Sequence, residues 1–125
     1  MQWVLVLIGS GVGGVVRYLT STWMAERFGS GFPWGTFTVN VAGGLLIGLL
    51  ATLADERGIL GPQTRLLLVV GFLGGYTTFS SFSLETLRLV EAGEVLPAAL
   101  NILGNVTLAL VAAAIGINIG RVVER

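Results

Sequence analysis

The chemistry this sequence can support is concentrated in two helically spaced pairs and one irregular run. Thr36 and Asn40 are four residues apart, as are Asn101 and Asn105. On a helix each pair shares a face and forms a two-rung ladder of hydrogen-bond donors. The run Gly74-Gly75-Tyr76-Thr77-Thr78-Phe79-Ser80-Ser81-Phe82 places adjacent glycines and β-branched threonines in the middle of an apolar segment, where they lower helix propensity. A helix break is expected there, and carbonyls freed by a break can ligate a hard cation, so the run points to an ion site. Phe79 and Phe82 are three apart and share a face, interleaved with Ser80 and Ser81. A phenyl ring is weakly positive at its edge, so Phe edges, Asn amide hydrogens and Ser/Thr hydroxyls together can replace the water around a small, strongly hydrated anion. Taken alone, the two phenylalanines read more readily as lipid contact or core. The break, Asn40 and the serines tip them toward an anion.

The missing residue types close off other chemistries. The chain has no Cys, His or Lys. Disulfides, thiolate nucleophiles, soft-metal sites, imidazole catalysis and Schiff bases are therefore excluded. Ser80 and Ser81 have no His or Lys to activate them, so the chain is not expected to be an enzyme. Seven Arg balance seven Asp and Glu, which removes the electrostatic footprint of a nucleic-acid binder or a polybasic surface protein.

The elements that position these residues must lie in a bilayer. Of 125 residues 54% are hydrophobic and only 11% charged, and the charges are bunched. The uncharged runs 1–16, 28–54, 66–84 and 95–120 fit four spanning helices of about 20 residues, the first continuing past Arg17 to roughly Met24. The expectation is an all-α membrane protein, a single domain over 1–125, with four spans at roughly 3–24, 33–53, 65–90 and 95–120 and the third broken. Met1-Gln2-Trp3 lacks a positive n-region and no small-residue cleavage site follows, so the first helix is expected to persist. Arg57, Arg65, Arg121 and Arg125 fall on one side and Arg27 and Arg88 on the other, with Arg17 inside a span. This near balance favours insertion in either orientation over a fixed topology with termini inside. Small residues recur at four-residue spacing, as in Gly9/Gly13, Ser10/Gly14, Gly44/Gly48, Gly71/Gly75 and Gly116/Gly120, and most read as helix-packing faces. Four spans leave little room for an internal cavity, so at least a dimer is expected. Polar residues at membrane depth usually face protein or a water path. Ser and Thr bonding to their own helix carbonyls accounts for many hydroxyls but not for Asn40, Asn101, Asn105, Asn118 or Arg17. For Arg17 two roles stand level, an anion-concentrating vestibule or pairing with a carboxylate or helix C-terminus.

These residues resemble the Fluc (CrcB) family of fluoride channels, in the same order along nearly the whole chain. Span one holds Gly9-Ser10-Gly11-Val12-Gly13-Gly14-Val15-Val16-Arg17-Tyr18, similar to the family's glycine-rich segment ending in Arg and an aromatic. Gly35-Thr36, Asn40 and Gly43 look like its GT-x-x-x-N-x-x-G pattern, and Gly71 through Phe82 looks like its G-F-x-G-G-x-T-T-F-S-x-F signature. The resemblance implies passive, selective fluoride export across the cell (inner) membrane by an antiparallel, dual-topology homodimer with two pores. By position, Asn40, Phe79 and Phe82 would line the pore, with Thr36, Ser80 and Ser81 as the hydroxyl track beside them. Carbonyls of Gly74 and Thr77 from both subunits would hold a structural Na⁺ at the dimer interface. Arg17 would match the vestibule arginine and Glu85 the acidic residue ending the third span. In the fourth span the family often has Tyr and Ser where this chain has Asn101 and Asn105, which stay as candidate pore donors.

Two other functions fit parts of the sequence. A proton-coupled exporter like the small multidrug resistance transporters matches in size, but the only acid near a span is Glu85, toward the end of span three. An inert four-helix packing subunit would explain the glycines and leave the aligned polar side chains without a purpose.

Overall fold

The computed structural model describes residues 1–123; Arg125, counted in the charge balance, lies outside the described residues. The described chain is helical, with four helices long and apolar enough to cross a membrane: Gln2–Phe28, Trp34–Asp55, Pro62–Glu91 and Val95–Val122. Pro33 precedes the second span and Pro62 opens the third, where a missing N–H costs no helical bond.

The third span is one stretch of membrane length but not of one winding. An α-turn, Pro62–Arg65, leads into π-helical Leu66–Leu73 and a short α-turn, Gly74–Tyr76. Thr77 and Thr78 are then extended (φ −88°, ψ 159° and φ −153°, ψ 123°), and a second helix runs Phe79–Glu91. Thr78 restarts the helix, its hydroxyl oxygen accepting the Ser81 amide at 3.1 Å in an N-cap.

The small residues place the helices. Gly9 and Gly13 sit directly on the backbone of Leu67 and Phe72, so the first span rests on the π-wound segment. Gly48 and Gly116 bring the second and fourth spans equally close, Gly48 onto the Ala113 carbonyl and Gly116 onto the Leu45 carbonyl. A methyl at either contact would overlap backbone atoms, so these faces are spent on packing inside the chain. The apolar core of Val39, Leu73 and Tyr76 lies immediately before the break, with Phe72 stacked on Tyr76 at 5.6 Å.

One end of the bundle is tied by charge. Arg121 makes two hydrogen bonds of 2.9 Å to Glu56, and Arg65 makes two to Asp55, at 2.8 and 3.2 Å. Arg57 donates to the Arg121 and Val123 carbonyls at 2.6 Å each, closing the C-terminal end of the fourth span.

Candidate functional site: the break in the third span

In an unbroken helix the Thr78 amide would bond to the Gly74 carbonyl. Here it bonds instead to Asn40 Oδ1 at 2.9 Å, and Asn40 Nδ2 returns a bond to the Thr78 carbonyl at 3.0 Å. One side chain of the second span thus takes the Thr78 amide that the break sets loose and adds a bond to the Thr78 carbonyl, which as N-cap already opens the helix that follows. The Gly75 carbonyl, which would have taken the Phe79 amide, receives Arg17 Nε at 3.0 Å. Of the two roles that the sequence leaves level for Arg17, this contact is the pairing with a helix C-terminus. Gly43 is buried against the break, and a Cβ there would strike the Thr77 methyl group.

Asn40, Thr77, Thr78, Phe79 and Phe82 line one side of a groove of about 420 Å³, and Asn105 and Leu110 of the fourth span line the other. Phe79 is 79% exposed, while Phe82 is half-buried; their ring centroids are 5.5 Å apart and the planes are inclined at 50°. Ser80 and Ser81 lie outside the groove wall. The Ser80 hydroxyl is 3.3 Å from that of Thr78, and Ser81 contributes its amide to the cap. Gly74 is exposed and Thr77 half-buried, and the Thr77 hydroxyl donates back to Leu73 O at 2.9 Å.

Thr36 shares a helix face with Asn40 but serves a different place. Buried, it donates to Glu85 Oε1 at 2.9 Å at the wall of a second cavity of about 430 Å³, which Ser21, Ser30 and Arg88 also line. The other oxygen, Glu85 Oε2, is buried without a hydrogen-bond partner among the described residues. Glu85, which the resemblance names as the acidic residue ending the third span, thus has Thr36 as its partner, a contact across 49 positions that no local spacing reveals.

Asn101 and Asn105 form the ladder their spacing suggests, and the ladder points inward. Asn105 Nδ2 donates to Asn101 Oδ1 at 2.9 Å and to its backbone carbonyl at 2.8 Å. Asn105 Oδ1 accepts from Asn40 Nδ2 at 2.9 Å, and Asn101 Nδ2 donates to Thr86 Oγ1 at 2.9 Å. Thr86 was not singled out by its sequence, although it stands one turn after Phe82 and donates to the Phe82 carbonyl at 2.7 Å. Asn118 departs from expectation. Its amide bonds to Ala114 O in its own helix at 2.8 Å, the self-bonding expected only of hydroxyls, and it takes no part in the site.

The sequence matches the family described as "CrcB-like protein, Camphor Resistance (CrcB)" over residues 4–117. Its relatives include a Coxiella burnetii protein, 49% identical over 122 residues that cover 97% of this chain and 98% of that protein. A Nitrobacter winogradskyi protein is 45% identical over 98% of this chain and all of its own length. One from Chloroflexus aurantiacus is 44% identical over 93% of this chain and 92% of its own. All three bear the name fluoride-specific ion channel FluC. With its third-span break, its Asn40 clasp and this full-length likeness, the chain belongs to the CrcB-like family.

Proposed function

We propose that this protein is a passive fluoride channel of the cell inner membrane, working as an antiparallel homodimer with two pores. The observation that carries the reading is the groove at the break. Amide, hydroxyl and phenyl groups converge there in a chain otherwise built for lipid, and relatives of nearly equal length bear a fluoride-channel name. An anion leaving water needs hydrogen donors and positive ring edges, and rapid passage needs each contact to be weak. Phe79 and Phe82 supply ring edges at the groove wall, which Asn40 also lines with its amide hydrogens bound to the Thr78 carbonyl and Asn105; Ser80 and Ser81 supply hydroxyls beside it, and the Thr36 hydroxyl stands against Glu85 at the second cavity. Arg17, held by the Gly75 carbonyl, leaves its charge to raise the local anion concentration.

The groove is open along the fourth span, where Val106 and Leu110 are exposed, and a second copy would enclose it. Dual topology follows from the near-even split of Arg between the two ends. The residues fit a structural Na⁺ between the copies. Gly74 is exposed, its carbonyl has lost the Thr78 amide, and Thr77 is extended beside it. Carbonyl oxygens of Gly74 and Thr77 would hold the ion, which would supply the positive charge that unpartnered carbonyls need in lipid.

Purified protein in liposomes loaded with potassium fluoride or potassium chloride, with valinomycin added, tests the function. Fast fluoride release with chloride retained is the expected result, and the same rate with or without a proton gradient separates a channel from a proton-coupled exporter. Folded protein that releases neither anion would overturn the reading.

A further inference from the structure

A single directed chain of hydrogen bonds joins Asn40 to the helix that carries Phe79 and Phe82, and it runs through the fourth span. Asn40 Nδ2 donates to Asn105 Oδ1, Asn105 Nδ2 to Asn101 Oδ1, Asn101 Nδ2 to Thr86 Oγ1, and the Thr86 hydroxyl to the Phe82 carbonyl. Its two ends fix its direction. The Phe82 carbonyl can only accept, so Thr86 spends its one hydrogen there and must accept from Asn101. That turns the Asn101 oxygen toward Asn105, and the Asn105 oxygen toward Asn40. At the other end the Thr78 amide can only donate, which sets the Asn40 oxygen against it and its NH₂ toward Asn105. Every amide orientation in the chain therefore follows from two backbone groups.

The three intermediate links are interior: Asn101 is 0% exposed, Asn105 5% and Thr86 7%. Both hydrogens of Asn105 go to Asn101, so none is left for an ion in the groove. Direct packing between the second span and the second half of the third is sparse; that half leans chiefly on the fourth span. We infer that Asn101 and Asn105, with Thr86, are positioning residues. They form a polar strut that sets the distance and tilt of the Phe79/Phe82 helix relative to Asn40. They do not touch the anion. Low-dielectric surroundings strengthen such a chain, and each link polarises the next, so it acts as a unit. The inference rests on the fluoride-channel reading.

The test uses the full-length protein in liposomes, with fluoride efflux measured for Asn105→Leu, Asn101→Leu, the double variant and Thr86→Val. Alongside it, the Asn40 side-chain amide signal is followed by ¹⁵N NMR. Thr86→Val preserves volume, lies outside the groove and keeps the test open if a leucine variant fails to fold. Losing a link leaves an amide hydrogen unmet, on Asn40 in Asn105→Leu, on Asn105 in Asn101→Leu and on Asn101 in Thr86→Val, so efflux should fall about tenfold in each single variant, with the double variant no worse than Asn105→Leu. Thr86→Val should move the Asn40 amide signal from three links away, which a purely local packing role would not do. Losses that multiply in the double variant would mean that the asparagines contact the ion independently. That result, or unchanged efflux and Asn40 signal in Thr86→Val, would overturn the inference. No fluoride efflux from wild-type protein would instead reject the channel reading itself.

Discussion

Asn40 holds both backbone polar groups of Thr78, accepting its N–H at 2.9 Å and donating to its carbonyl at 3.0 Å. The pair lets the third span part without leaving a bare peptide at membrane depth, where water cannot supply the missing bonds. Replacing Asn40 by Leu keeps the volume and removes both partners. The expected cost is about 1–3 kcal/mol, from the Thr78 amide left without a partner at membrane depth, together with loss of fluoride efflux. Thermal unfolding in detergent and the liposome assay measure the two effects. An Asn40→Leu protein as stable as wild type would contradict the clasp.

Gly43 and Gly14 make a matched pair of tests. A methyl at Gly43 meets the Thr77 side chain, whereas nothing lies within 4 Å of one at Gly14. Gly43→Ala should destabilise the fold by about 1–3 kcal/mol as the break shifts, and Gly14→Ala should change the monomer's packing little. Equal melting temperatures for the two variants would show that the break tolerates displacement.

Phe82→Ile keeps apolar bulk in the groove wall and removes the polarised ring edge. Fluoride efflux should fall about tenfold or more while the assembly seen by size-exclusion chromatography is unchanged. Unaltered efflux would remove Phe82 from the list of ion contacts.

Stability should respond to acid through Glu56. Hydrogen bonds from Arg121, opposed by desolvation and helped by charge attraction, hold its carboxyl below the usual carboxylate range. A group with a lowered folded-state pKa stabilises the fold fully above its ordinary value, and the contribution disappears as the pH falls through the lowered one. Melting temperature measured from neutral pH to about pH 3 should therefore drop less steeply in Glu56→Gln than in wild type. Because the pair is exposed, the difference should be small and should shrink further in high salt. Parallel curves for the two proteins would mean that this ion pair contributes nothing.

The four spans and the break were legible because each leaves a mark in composition. Charges interrupt the apolar runs, and the Gly-Gly and Thr-Thr pairs disfavour helix just before and at the two extended residues. The π-wound segment was not legible. Leu66-Leu67-Leu68-Val69-Val70-Gly71-Phe72-Leu73 is equally acceptable to an α-helix, and no residue in it marks the wider winding of the segment on which Gly9 and Gly13 sit. For the site, spacing identified the shared faces of Thr36/Asn40 and Asn101/Asn105 but could not say what each face meets. Thr36 meets Glu85, Asn40 meets Thr78 and Asn105, and Asn101 meets Thr86, all across spans. Arg17 shows the same limit: its rank as a polar residue in a span was plain, and its partner, 58 positions away, was not.

The arginine ties at the end of the bundle serve two stages in the life of the chain. Positively charged loop residues bias orientation as a chain enters the membrane. Arg57, Arg65 and Arg121 are residues of that kind, and in the fold the same three guanidiniums bind the chain's own carbonyls and carboxylates. A substitution made to shift the charge bias of this end would therefore also cut a tie between spans.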